Sequence, residues 1–168
     1  MMQPAGFHLA EFNFGTLRHD WDDPRMAGFV AGLDRVNALA AATKGFVWRL
    51  SDDAMGKAQA SAAGMALGAG RLAATLSVWE NGAALDHFVW NTLHRHYYGR
   101  KAAWYDAAGN GNLVLWWVPA GHRPGFHEGL ARWQTMRDNG DSETAFGWKS
   151  LKDATLWRER ACGPLAAE

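Results

Sequence analysis

Four stretches of the chain alternate or run apolar at strand length, and the segments between them carry apolar residues at helical spacing. Residues 7–14 (Phe-His-Leu-Ala-Glu-Phe-Asn-Phe) predict a strand with apolar residues on both faces and polar His8, Glu11 and Asn13 interspersed; Gly15 ends it. Asp22-Asp23-Pro24 is a helix-start signal, an acidic cap followed by proline near the first helical position. Met26, Phe29, Val30, Leu33, Val36 and Ala40 then form one apolar stripe, and Lys44-Gly45 stops the helix. Phe46, Trp48 and Leu50 alternate with Val47 and Arg49, which predicts a second strand. Residues 51–70 are rich in Ala and Gly with little large apolar content. The alanines favour helix and the glycines oppose it, so the segment reads as a flexible loop acting as a mobile flap.

Leu72–Glu80 predicts a third strand. Asn81 then caps a long helix to about Ala107, with an apolar stripe at Leu85, Phe88, Val89, Leu93, Tyr97 and Trp104. Gly109-Asn110-Gly111 makes a turn into a fourth strand, Asn112–Val118, apolar on both faces as strands buried on both sides are. A Gly/Pro loop over 119–125 leads to a third helix through Leu130, Trp133 and Met136, ending at Asn139-Gly140. Beyond Asp141 the pattern weakens; Phe146–Lys149 reads as an edge strand.

The order is β-α-β-β-α-β with an extra C-terminal helix: an α+β, ferredoxin-like arrangement. It predicts one domain over residues 1–140 and a C-terminal extension of it over 141–168. Two helices cover only one face of a four-stranded sheet. The other face bears Trp, Phe and Leu, so the pattern predicts a homodimer packed face to face.

Composition sharpens this picture at a few points. Lys+Arg and Asp+Glu number 17 each in 168 residues, so the formal net charge is zero. That argues against a nucleic-acid or anionic-membrane partner recognised through a broad basic patch. No apolar run approaches the length of a membrane span, and the first residues have neither the basic nor the apolar region of a signal peptide, so a cytoplasmic location is expected. The single Cys162 makes neither an internal disulfide nor a thiolate metal site alone. Ten tryptophans, against about two at average usage, point to an aromatic-lined interior.

No phosphate loop, dinucleotide loop, nucleophile elbow or zinc spacing occurs, which removes several large enzyme classes. No metal site is expected. On one long helix His87, Trp90, His94 and Tyr98 share a face, whereas His96 lies about 200° round from His94. Asn13 is an amide inside an apolar strand and needs partners, of which a ligand is one. Glu11 and Glu80 could serve as bases if buried, although exposed strand ends are the plainer expectation. Arg123 in Gly121-His122-Arg123-Pro124 suits a carboxylate ligand or a strand-end cap equally.

Several segments carry a resemblance: His8-Leu9-Ala10-Glu11-Phe12-Asn13, Asp22-Asp23-Pro24-Arg25-Met26-Ala27-Gly28-Phe29, Gly45-Phe46-Val47-Trp48-Arg49-Leu50, Leu76-Ser77-Val78-Trp79-Glu80, and Leu115-Trp116-Trp117-Val118-Pro119-Ala120-Gly121-His122-Arg123-Pro124. Over residues 7–140 the chain resembles an uncharacterised bacterial domain-of-unknown-function family within the dimeric α/β-barrel superfamily, which contains the antibiotic-biosynthesis-type monooxygenases. The resemblance implies a homodimeric barrel with a pocket between sheet and helices, and a cofactor-independent monooxygenase acting on an apolar aromatic substrate. It implies haem as the alternative, since a haem-degrading branch uses an Asn on the first strand with a Trp and a His. Asn13, Trp90 and His94 occupy comparable elements. The resulting expectation has His94 and Asn13 as catalytic residues and Trp48, Trp79, Trp90, Tyr98, Trp116 and Arg123 as substrate-binding residues. A non-catalytic ligand-binding dimer is the other alternative.

Overall fold

The computed structural model describes residues 1–92, 101–106 and 112–160. Four strands, β1 (Phe7–Thr16), β2 (Phe46–Arg49), β3 (Leu72–Trp79) and β4 (Asn112–Pro119), form one antiparallel sheet in the order β2-β3-β1-β4. Long central strands β1 and β3 pair from Leu9↔Trp79 to Thr16↔Leu72, and β4 runs along the other side of β1. Successive side chains point to opposite faces, so the register alone sorts the residues. Leu9, Glu11 and Asn13 share one face with Thr75, Ser77 and Trp79; Ala10, Phe12 and Phe14 share the other with Val114, Trp116 and Val118.

The first face is covered by α1 (Ala27–Ala42) and α4 (Gly82–Asn91). Entry to α1 follows the predicted signal: Asp23 accepts the Arg25 N–H, Pro24 opens a 3₁₀ turn, and the α-helix continues from Ala27. Asn81 caps α4 by accepting the Ala84 N–H at 2.9 Å. The predicted helix to Ala107 does not run through. It ends at Asn91, where Thr92 is extended and its hydroxyl bonds the Phe88 carbonyl. A separate short helix, α5 (Lys101–Trp104), brings Trp104 against Phe29.

The second face is covered within the same chain. Here α2 (Asp52–Ala60), α3 (Ala62–Gly68) and α6 (Phe126–Asn139) press Met55, Phe126, Leu130 and Trp133 onto Phe12, Phe14 and Trp116. Gly129 lets α6 approach the sheet, since a Cβ there would fall 2.8 Å from Phe12 Cγ. Two expectations change as a result. The segment 51–70 is not a loop but two helices, capped by Ser51 and Ser61. Its alanines pack on the sheet, and Gly64 fits the tight corner against the Ala58 and Gln59 carbonyls. The apolar sheet face that predicted a face-to-face dimer is also already occupied, so the physical ground for that dimer is absent.

The described part of the extension, residues 141–160, joins the first face. Phe146 makes a single bridge to Leu115 in place of the expected edge strand, and α7 (Thr155–Arg160) packs on α4. The carboxylate of Asp86, 1% exposed, accepts the Leu156 and Trp157 N–H groups at 2.7 and 2.9 Å, capping α7 from a neighbouring helix. Among the described residues no helix is long and apolar enough to cross a membrane.

Candidate functional site

Between the first sheet face and helices α1 and α4 lies a cavity of about 640 Å³. That is the size of sites that enclose small organic molecules. Its walls are aromatic: Trp79 stacks on Phe88 at 5.1 Å and meets Phe46 edge-on at 5.3 Å, while Trp90 and Trp104 close the helix side. Its floor is polar. Glu11, 4% exposed, lies at the centre of β1, and its described hydrogen-bond partners come from the same face of β1 and β3.

A chain of hydrogen bonds runs across that floor. Trp79 Nε1 donates to Ser77 Oγ at 2.9 Å, and Ser77 Oγ donates to Glu11 Oε2 at 2.8 Å. Asn13 Nδ2 donates to Glu11 Oε1 and, with its second proton, to Thr75 Oγ1 at 2.8 Å. Thr75 is exposed, so solvent reaches this end of the network. Among the described residues neither partner of the Glu11 carboxyl is a cation. Burial therefore dominates and pushes its pKa up to about 7, with the donors Asn13 and Ser77 pulling the other way. A carboxyl balanced between its two protonation states near neutral pH, beside a cavity of ligand size, is suited to moving protons.

The donors predict a direct test. Ser77→Ala removes a bond that favours the ionised carboxylate, so the Glu11 midpoint should rise further above 7. A carboxyl-stretch titration by infrared difference spectroscopy reads the shift. A fall in the midpoint would mean that Ser77 opposes ionisation.

The structure brings together some of the expected site residues and separates others. Asn13, Trp79 and Trp90 all line the cavity. Trp48 and Trp116 do not. Both point to the second sheet face, where Trp48 packs on the Phe12 cluster and Trp116 Nε1 donates to Glu128 on α6 at 3.1 Å. Arg123 is exposed on the loop between β4 and α6, away from the cavity. His87 is exposed on α4 while Trp90 is buried, so the two do not share a pocket-lining face. His94, His96 and Tyr98 lie outside the described residues. Glu80 follows β3 and is exposed, but Glu11 is not the strand end expected of it. Ser77, Thr75 and Arg49 were missed as site residues; cross-strand register, not local pattern, puts Ser77 beside Glu11, Thr75 beside Asn13, and Arg49 in the Glu11 row two strands away.

Among the described residues no group of three or more His, Cys, Asp or Glu side chains could hold a metal ion. Cavity and network together define a small α+β domain built round an internal, acid-bearing pocket. The chain belongs to the family described as Domain of unknown function (DUF3291), which matches residues 8–162. No curated protein matches it. A solved structure, that of the protein of unknown function NE2512 from Nitrosomonas europaea, is similar at 13% identity and a TM-score of 0.46, covering 73% of this chain and 99% of that one.

Proposed function

We propose that the protein is a small-molecule enzyme in which Glu11 takes a proton from an aromatic substrate whose ring is held against the apolar wall of the cavity. The observation that carries this reading is the buried Glu11 carboxyl, with no cation among its described partners, on the floor of an aromatic-walled space. As a carboxylate it accepts the proton. Ser77 then has a way to reverse: its Oγ accepts from both Trp79 and the new Glu11 O–H, and its own hydroxyl turns to donate to the substrate anion. Asn13, held by Thr75, keeps the other carboxyl oxygen in place.

The strand order β2-β3-β1-β4, with α1 and α4 on one face, supports a ferredoxin-like core. Together with the sequence resemblance, it favours the monooxygenase-like form of the reaction. In that form an activated methylene of the substrate, deprotonated by Glu11, consumes one dioxygen, becomes a carbonyl and releases one water. Haem remains the alternative, and its expected ligand His94 lies outside the described residues; burial pushes the Tyr105 phenol well above its ordinary range, which leaves it neutral. The reading therefore routes no step through haem.

The test is oxygen uptake with aromatic substrates that carry an acidic methylene or phenol. Wild-type protein should accelerate uptake, and Glu11→Gln should lose about 100-fold or more of that acceleration. Equal rates in the two proteins would remove Glu11 from the chemistry.

A further inference from the structure

Arg49 ends β2 on the cavity side of the sheet. It pairs across to Ser77, and Ser77 pairs across to Glu11, so the three residues form one row over β2, β3 and β1. The Cα atoms of Arg49 and Glu11 are two strand spacings apart, about 10 Å. Both residues line the cavity, and among the described lining residues Arg49 is the only cation.

Its guanidinium faces Asp52, with both contacts at 2.7 Å, and also donates to the Leu50 carbonyl at 3.1 Å. Asp52 receives a further, longer bond from Asn37 on α1, and Asp34 adds negative charge nearby. The two members of the pair differ in surroundings. Arg49 is 29% exposed, while Asp52 at 69% stands mostly in solvent. An acid so exposed is held less firmly than a buried one would be, because water competes for it and screens the attraction. A carboxylate arriving from the cavity side meets the same planar fork of donors. The aromatic wall of Phe46 and Trp79 lies beside that approach.

We propose that Arg49 determines the specificity of the cavity by exchanging Asp52 for the carboxylate of an aromatic acid. The ring then lies along the aromatic wall, and the acidic O–H or C–H at the far end of the ligand reaches Glu11. The substrate class is an aromatic carboxylic acid one ring long, bound between Arg49 and Glu11. This rests on the reading of Glu11 as the group that takes the proton.

Calorimetric titration with 4-hydroxyphenylacetate and with its methyl ester tests the exchange. Wild-type protein should bind the acid at least tenfold more tightly than the ester. Arg49→Gln should abolish that preference, and Asp52→Asn, which removes the competitor, should tighten the acid several-fold and leave the ester unchanged. Glu11→Gln should keep the preference for the acid, so a failure of the proton-transfer reading shows separately, as turnover indifferent to Glu11. Equal affinity for acid and ester, no binding of the acid, a preference that survives Arg49→Gln, or weaker acid binding in Asp52→Asn would overturn the proposal.

Discussion

Glu11→Gln is expected to flatten the pH dependence of folding stability and to make the protein more stable than wild type above pH 7. In the folded chain the carboxyl keeps its proton up to about pH 7, whereas the same group in the unfolded chain releases it near 4.5. Below about pH 4.5 both states are protonated and nothing is at stake. Between the two values the folded state binds a proton that the unfolded state does not, so wild-type stability falls as pH rises and levels off above 7. The gap corresponds to about 3 kcal/mol. Glutamine has no such proton to lose, and its amide still offers an acceptor to Asn13 and a donor to Ser77. Urea unfolding at pH 5 and pH 8 reads the difference. Wild type should lose stability between them and the variant should not; parallel behaviour would place Glu11 in contact with water or a cation.

Phe12→Ala is expected to cost about 3–5 kcal/mol, the range for removing a buried aromatic ring. Phe12 is fully buried, meets Phe126 edge-on at 5.5 Å and Phe14 at 5.3 Å, and lies directly under Gly129 of α6. The cavity left behind cannot be filled by small shifts, because the ring is clamped between the sheet and the helix. Ligand binding should survive wherever the variant remains folded, since Phe12 and Glu11 point to opposite faces of β1. Chemical denaturation measures the loss. A cost below about 1 kcal/mol would mean that α6 does not seal the second face.

Much of the fold is legible in the chain because local chemistry and final structure agree there. Asp23-Pro24 starts α1, Asn81 starts α4, and Gly140, with φ of 78°, closes α6. The helices over 52–68 were obscured because small residues carry no periodic signal; their burial comes from close packing on the sheet, which only the tertiary fold supplies. The end of α4 at Asn91 was obscured for the opposite reason, as Leu93, Tyr97 and Trp104 continue the helical period past the stop. Coverage of the second sheet face by α6 is a tertiary fact with no local mark.

The site divides along similar lines. Asn13 stood out as a polar residue in an apolar strand, and Glu11 two positions before it shares its face by strand parity alone. That parity was available in the sequence and points straight at the carboxyl. Trp48 and Trp116 were assigned to the pocket because strands apolar on both sides give no clue to which face looks inward. In β2 the register shift between Phe46 and Trp48 breaks the parity, so that Phe46 and Arg49, three apart, both reach the cavity.

Glu11 is a buried acid on the floor of the cavity with no cation among its described partners. The most direct measurement is the titration of its side-chain carboxyl by ¹³C NMR in glutamate-labelled protein, with Glu11→Gln assigning the resonance. The predicted midpoint is about 7, well above that of the other glutamates. A midpoint near 4.5 for the resonance that the substitution removes would contradict the account.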